Sequence, residues 1–477
     1  TAKGDAKWIR ITATVEREHD VPIRIFGLKQ DITKEKLLWE QTRYLAEFDS
    51  LTALANRAMF QKSLDALADT SCARGTLLLL DLDGFKQVND RYGHAQGDAC
   101  LRLFAKRLTR VCPDASLVAR IGGDEFAILF DCTGARDGYE KIAARIIDEF
   151  RSPILSGSEA FEIGVSIGIA HLGDGRDASD PTSLFADADL ALYAAKVAGK
   201  NTCRTFEYSL REKASQRLRT VRTIEAALAK SELSLHYQPV VRLPDGAWRG
   251  FEALLRYRMA DGRMAGPGEF QVAMDDPDLS RRLGQWVLKE AIGQAGRWRA
   301  AGLSYGYVSI NIGHVQMSDG QFAETLLGEI ASHGVSPDCV QIEITEGVFL
   351  DDEASAILKQ LSLVRAKGVR IAMDDFGTGY ASLIHLRKYP VDVIKTDRSF
   401  LRDVLTSASD AAILECVIAL SNRLGKTVVV EGVETSDQLA YLQSLDCEFA
   451  QGVLLSRPLP AEQATDALQK RGSRSPC

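Results

Sequence analysis

At 477 residues the chain is too long for one typical domain, and two or three are expected. Its 45% hydrophobic and 26% charged content predicts large buried cores, while a net charge of −7 argues against a nucleic-acid polymer as principal partner. The nine cysteines stand singly without Cys-x-x-Cys spacing and the seven histidines form no His-Glu-x-x-His pair, which disfavours a disulfide framework, a cysteine zinc site and a histidine-zinc hydrolase. With no signal-peptide pattern and no apolar run near the length of a membrane span, a soluble chain in a reducing compartment is expected.

Trp8 to Glu16 and Pro22 to Lys29 alternate apolar and polar residues on either side of Asp20, the pattern of a hairpin. A helix is predicted from about Thr33 to Glu47, with Ile32, Trp39 and Leu45 among its apolar positions. Two strands do not stand alone, so residues 1–32 are expected to end a larger domain. Leu77 to Leu80 predict a short buried strand ending at Asp81, followed by Asp83, Lys86, Asn89 and Asp90. A helix from about Ala95 to Arg110 leads to a hairpin from Ser116 to Phe130, turned at Gly122 and Gly123 and carrying Asp124 and Glu125. A backbone without Cβ can pass close to a phosphate, and acids at a strand end and a turn can hold Mg²⁺ against a triphosphate. Strands and helices then alternate to about Phe206, and Glu207 to Leu228 reads as one amphipathic linker helix.

These residues resemble the GGDEF family of diguanylate cyclases, which condense two GTP molecules into cyclic di-GMP. The resemblance runs through Asp49-Ser-Leu-Thr-Ala-Leu-Ala-Asn-Arg57, Asp81-Leu-Asp-Gly-Phe-Lys-Gln-Val-Asn-Asp90, Gly93-His-Ala-Gln-Gly-Asp98, Arg120-Ile-Gly-Gly-Asp-Glu-Phe126 and Ala195-Lys-Val-Ala-Gly-Lys-Asn201. It implies a nucleotide-cyclase-like (ferredoxin-like) α+β domain over 49–206. It implies further that Asp81, the Leu82 carbonyl and Asp124 hold Mg²⁺ with GTP, that Asn89 and Asp98 read guanine, and that Lys86, Lys196 and Lys200 hold phosphates. Glu125 would lie near the attacking 3′-hydroxyl. Phosphoryl transfer asks for charge neutralisation and alignment more than covalent help, and the meeting of two GTP-loaded copies implies a homodimer. Where many members carry an inhibitory Arg-x-x-Asp, this chain reads Pro113-Asp-Ala-Ser116, so product inhibition there is not expected. The N-terminal hairpin and helix resemble the end of a PAS sensory domain (1–32) and its signalling helix (33–48).

After Ser231 strand and helix patterns repeat over roughly 240 residues, near the ~250 of an eightfold barrel. Candidate strands are Ser234 to Val241, Gly250 to Leu255, Tyr307 to Ile312, Val340 to Thr345, Val369 to Met373, Val391 to Lys395, Thr427 to Val430 and Phe449 to Leu455. Glu252, Asn311, Glu343, Asp374, Lys395, Glu431 and Gln451 each come from a different one, in or just after its apolar run. In Val340-Gln-Ile-Glu-Ile-Thr345 the alternation turns Glu343 into the barrel. The stretch Met373 to Leu383 closes its strand with Asp374 and Asp375 and then spends Gly377 and Gly379 on a tight loop, which alone reads as a solvated turn. Acids converging on one mouth against a single lysine are hard to satisfy without cations, and two divalent ions fit.

The same residues resemble the EAL family of cyclic di-GMP phosphodiesterases, through Tyr237-Gln-Pro239, Glu252-Ala-Leu-Leu-Arg256, Asn311, Glu343-Ile-Thr-Glu346, Asp374-Asp-Phe-Gly-Thr-Gly379, Lys395-Thr-Asp397, Glu431-Gly-Val-Glu434 and Gln451-Gly452. The resemblance implies a TIM-barrel-like domain over 231–470, joined by a linker at 207–230. One Mg²⁺ or Mn²⁺ would be held by Glu252, Asn311, Glu343 and Asp374, and a second by Asp374, Asp375 and Glu431. Lys395 would orient the water, Glu346 would anchor the loop containing Thr378, and Gln238, Arg256, Asp397 and Gln451 would meet the substrate, with Glu434 and Gln451 backing the metal ligands. The expectation is a bifunctional enzyme that makes cyclic di-GMP from GTP and hydrolyses it to pGpG, located in the bacterial cytoplasm either freely or as part of a membrane-anchored sensor. Two alternatives stay open: a phosphodiesterase whose first domain only binds GTP and regulates, and a catalytically silent cyclic di-GMP receptor.

Overall fold

The computed structural model describes residues 6–18, 20–68, 75–131, 136–156, 159–172, 181–259, 261–318, 320–349, 354–377 and 389–472. The chain folds as two compact units, Thr1–Gln216 and Arg217–Cys477. The first unit opens with an antiparallel hairpin of β1 (Ile9–Glu18) and β2 (Val21–Asp31), whose apolar residues, among them Ile11, Ile25 and Leu28, stand exposed. Asp20 takes the turn with φ of +64°. The helix α1 (Thr33–Glu47) is tied back to the hairpin where the Ile32 N–H donates to the Trp8 carbonyl at 2.9 Å.

Then follow α2 (Arg57–Ala68), β3 (Gly75–Asp83), α3 (Phe85–Tyr92), α4 (His94–Val111), β4 (Leu117–Gly122), β5 (Glu125–Asp131), α5 (Arg136–Phe150), β6 (Ile154–Ser156), β7 (Glu159–Phe161), β8 (Gly164–His171), α6 (Pro181–Val197) and β9 (Cys203–Thr205). The main sheet is ordered β4-β5-β3-β8-β9, with β3 antiparallel to both neighbours. Its leucine run has a direct physical reason. Side chains alternate across a strand, so Leu78, Leu80 and Leu82 pack with Phe104 of α4 and Ile146 of α5, while Leu77 and Leu79 pack with Phe60 of α2 and Ala188 of α6. Helices therefore cover both faces, and β3 has no solvent face on which polar residues could alternate.

Gly168 lies where α6 crosses β8: a Cβ there would come within 2.1 Å of the Ala188 carbonyl oxygen and 2.3 Å of the Leu192 nitrogen. Because both are backbone atoms, the helix itself must shift. Gly168→Ala is expected to cost about 1–3 kcal/mol, read as a lower Tm for the first unit; an unchanged Tm would show that α6 moves off freely.

The helix α7 (Tyr208–Ala229) leads into the second unit, and its Ile224 and Ala227 are buried in that unit's core. The second unit contains β10 (Leu233–Arg242), β11 (Ala247–Arg258), β12 (Met264–Ala265), β13 (Tyr307–Asn311), β14 (Val340–Thr345), β15 (Arg370–Phe376), β16 (Val393–Thr396), β17 (Thr427–Val430), β18 (Phe449–Ala450) and β19 (Leu459–Pro460). Strands β11 and β13 to β18 pair in parallel, and β10 closes the barrel between β18 and β11.

Two details depart from the sequence reading. The regular strand-then-helix repeat fails at its first step, because β10 runs antiparallel to both neighbours and reaches β11 through a turn at 243–246. An antiparallel pair needs only such a turn, whereas a parallel pair needs a crossover. The last barrel strand ends at Ala450 rather than continuing to Leu455, since the chain turns there and the Leu455 N–H donates to the Gly452 carbonyl. Val240, Ala372, Val393 and Val429 form a small cluster of their own, apart from the larger core around Tyr237, Phe251 and Trp298. Among the described residues no helix is long and apolar enough to cross a membrane.

Candidate functional site

The acids of the second unit gather at the C-terminal ends of the parallel strands, the end of such a barrel that carries chemistry. Lys395 of β16, 1% exposed, is the centre of the arrangement. Its Nζ lies 2.6 Å from Glu431 Oε1, 2.7 Å from Glu343 Oε2, 3.2 Å from Glu252 Oε2 and 3.4 Å from Asp374 Oδ1. These carboxylates come from β11, β14, β15 and the residue after β17.

Neighbouring strands orient them. Glu252 accepts from Asn311 Nδ2 at 2.8 Å and from Gln451 Nε2 at 2.7 Å. The Gln451 amide also donates to Gln238 Oε1 at 3.1 Å, and Gln238 donates to the Ser456 carbonyl. Glu343 accepts from Ser309 Oγ at 2.5 Å, and Ser309 accepts from Gln341 Nε2 at 3.0 Å. Sequence reasoning passed over Ser309 and Gln341, although period-two alternation from Asn311 and Glu343 turns both toward the barrel interior.

Four carboxylates around one ammonium leave surplus negative charge in a buried place. Burial, followed by Glu252, pushes Glu343 well above the ordinary carboxylate range. Burial likewise pushes Glu431 up to about 8, although its side chain keeps 24% of its exposure and solvent softens that shift. Asp375 is pushed up to about 6 by burial, Asp374 and Asp397. Glu252 is held below its usual value against burial, chiefly by Lys395. Lys395 stays charged despite burial because Glu252, Glu343, Glu431 and Asp374 face it.

The sign of the resulting pH dependence follows. A carboxyl whose pKa is raised on folding adds stability that is complete below its unfolded value and lost as pH rises through its folded value. For Glu431 that loss falls around pH 8, so without divalent ions the second unit is expected to melt at lower temperature at pH 8.5 than at pH 7. Melting curves in a chelator check this, and a Tm that rises over the interval would contradict the Glu431 environment.

The set suits a hard divalent cation by its chemistry. It offers carboxylate and amide oxygens, too few positive charges, and two buried oxygens, Asp374 Oδ1 and Glu431 Oε1, that face Lys395 but receive no well-aligned hydrogen bond. As the side chains stand, no group of three among the described residues is spaced around a metal-sized point. Nζ of Lys395 holds the point of convergence instead.

Other predicted residues sit around this centre. Asp375 takes φ of +52° near the end of β15 and keeps much of its surface open to solvent, which softens the shift that burial and Asp374 give it. Glu346, buried, accepts from the Gly377 N–H at 2.6 Å. Thr378 and the rest of the loop to Leu383 lie outside the described residues. Asp397 accepts from the Ser399 N–H at 2.9 Å. Arg256 stays half-buried within the field of Glu252 and donates to the Leu255 carbonyl, and Glu434 is exposed.

In the first unit Asp81 lies directly across from Glu125 in the β3–β5 register, and the Leu82 N–H donates to the Asp124 carbonyl at 3.3 Å. Lys196 pairs with Asp81 at 2.7 Å. Burial and Asp81 raise the carboxyls of both Asp124 and Glu125. Asn89 of α3 packs close against α4 at Gly97, where a Cβ would come within 2.0 Å of Asn89 Oδ1 and displace that side chain. Asp98 and Lys86 are exposed on those two helices, and Lys200 is exposed in the turn after α6 with φ of +61°.

Two supports of this site received no role from the sequence. Asp83 accepts from Ser166 and from the Asn201 N–H, fixing the turn that bears Lys200. Arg120 donates to the Gly123 carbonyl and pairs with Asp49, bracing the glycine turn. The motifs contained these residues, but a bracing role depends on partners distant in the chain.

Comparison with known proteins places both units in families. The family model described as "Diguanylate cyclase, GGDEF domain" matches residues 46–202, and that described as "EAL domain" matches residues 221–458. The "Bifunctional diguanylate cyclase/cyclic di-GMP phosphodiesterase MucR" of Pseudomonas aeruginosa is 36% identical over 88% of this chain and 61% of its own length. The "Uncharacterized protein Mb1389c" of Mycobacterium bovis is 34% identical over 98% of this chain and 74% of its own. A solved structure, "PaMucR Phosphodiesterase, c-di-GMP complex", superposes with a TM-score of 0.50 at 36% identity, covering 52% of this chain and 99% of that one. The chain spans about half the length of several curated relatives it matches, 54% and 61% among them. It belongs to the proteins that carry a GGDEF domain and an EAL domain in tandem.

Proposed function

We propose that the second unit hydrolyses cyclic di-GMP to pGpG with the help of two divalent metal ions, and that the first condenses two GTP into cyclic di-GMP. The observation that carries the hydrolase is the convergence of Glu252, Glu343, Asp374 and Glu431 on Lys395, with two buried carboxylate oxygens lacking an aligned donor. The metal-requiring chemistry is the activation of water and the stabilisation of a leaving oxygen. Glu252, Asn311, Glu343 and Asp374 would hold one ion, and Asp374, Asp375 and Glu431 the other.

This chain's side chains supply the rest. Gln451 and Asn311 fix the Glu252 carboxylate from two sides, and Lys395, among the acids, would orient a water. Arg256 and Asp397, at the ends of their strands, serve a phosphate and the rest of the substrate. Glu346 grips the backbone of Gly377, two residues past Asp375, so it sets where the second carboxylate stands. Glu346→Ala is expected to lower turnover about 10- to 100-fold with little change in Tm; equal turnover would reduce the contact to an ordinary loop anchor.

For the cyclase, Asp81, the Leu82 carbonyl and Asp124 would hold Mg²⁺, Lys86, Lys196 and Lys200 the phosphates, and Asn89 and Asp98 the guanine. Glu125 faces Asp81 across the sheet, where the 3′-hydroxyl must approach. Two GTP-loaded copies must meet, so the active form is a homodimer with working units at 49–206 and 231–470.

Two chromatographic time courses test both halves, one with cyclic di-GMP and Mn²⁺ and one with GTP and Mg²⁺. Formation of pGpG in the first and of cyclic di-GMP in the second is expected. GTP that alters hydrolysis without being converted leaves the first unit a regulator. Tight binding of cyclic di-GMP without pGpG makes the protein a receptor.

A further inference from the structure

The opposite end of the barrel holds a second polar centre. A cavity of about 570 Å³ opens there, and Tyr307, Val393, Thr427 and Phe449, which begin β13, β16, β17 and β18, contribute to its wall. Arg370, which begins β15, completes that wall together with Arg242 and Arg249. An adjoining groove of about 430 Å³ shares Arg370. Asp374 lies four positions beyond Arg370 along β15, about 13 Å of strand, so these arginines do not reach a substrate held at the acid mouth.

The charged lining is three guanidinium groups against one carboxylate, Glu448. Arg242 is braced by Glu448 and by Asp245, each at 3.0 Å, and Arg249 lies 3.5 Å from Asp245. Arg370 differs. Its guanidinium lies over the Tyr307 ring, 4.0 Å from the centroid, and among the described residues it has no carboxylate partner. Its Nε is buried without an acceptor. A buried donor of a charged group left unmatched is costly, and a planar fork presented to a cavity suits a tetrahedral oxyanion. The volume lies within the range of small-ligand sites.

We propose that the base of the barrel binds a phosphate-bearing anion through Arg370, with Arg242 and Arg249 completing its charge. The site is separate from the catalytic mouth and does not depend on what the mouth hydrolyses.

The test is titration of the full chain with inorganic phosphate in a chelator, by calorimetry and by melting. Wild type is expected to bind phosphate and to melt higher in its presence. Arg370→Gln is expected to weaken this binding at least tenfold, Arg370→Lys to recover part of it, and Glu252→Gln to bind as wild type does. Should Arg370→Gln fail to fold, Arg249→Gln changes an exposed side chain of the same wall and is expected to weaken binding about threefold. GMP titrated in parallel separates the sources: tighter binding than phosphate points to a nucleotide, and equal or weaker binding to free phosphate. No phosphate response in wild type, or an equal response in wild type and Arg370→Gln, overturns the proposal and leaves Arg370 as a cap on Tyr307.

Discussion

Glu252→Gln is expected to lower cyclic di-GMP hydrolysis by at least about 10³-fold, which corresponds to roughly 4 kcal/mol of transition-state stabilisation. The expectation comes from the number of groups that point at this one carboxylate. Asn311 Nδ2, Gln451 Nε2 and Lys395 Nζ all direct hydrogens at it, from 2.8, 2.7 and 3.2 Å. A glutamine keeps the shape but replaces one oxygen with an amino group, so one donor then faces another and the charge is gone. Wild type is also expected to gain thermal stability from Mn²⁺, a gain this variant loses. Full turnover by Glu252→Gln would sink the proposed site.

A different effect is expected at Lys395→Met. Removing the ammonium leaves Glu343, Glu252, Asp374 and Glu431 facing one another with nothing between them. Breaking a buried charge network by deleting one partner costs about 3–5 kcal/mol, a Tm loss of roughly ten degrees for a unit of this size. The loss is expected to be largest in a chelator and to shrink in Mn²⁺, because divalent ions supply the missing positive charge. Hydrolysis falls in either condition, since the water loses its orienting group. A variant that melts as wild type does in chelator would mean that the ammonium contributes little to holding these four side chains together.

Much of this was legible from residue patterns alone. Seven of the eight predicted barrel strands announced a polar residue, because a polar or charged side chain interrupting an apolar run has few places to go except the barrel mouth. The leucine run at Leu77 was equally plain, as only a strand buried on both faces lacks alternation. The antiparallel course of β10 was hidden, since direction is set by the connection and the turn at 243–246 is short. Convergence was legible, and Lys395 stood out as the single lysine opposing the acids, but its place at the centre of four carboxylates depends on strand register. The base of the barrel was invisible for the same reason, because Arg242, Arg249 and Arg370 are far apart in sequence and each, alone, reads as a surface charge.

Closure of the barrel by β10 has a consequence for how the protein is made. The Gln451 amide that holds Glu252 comes from 199 positions further along the chain. That contact waits until the last barrel strand has been synthesised and has docked beside the first, a long-range pairing of the kind that forms slowly. A nascent or truncated chain therefore carries Glu252 without one of its main restraints. The hydrogen bond therefore forms only once the whole barrel is in place, and the geometry around Glu252 is complete only in the full-length barrel.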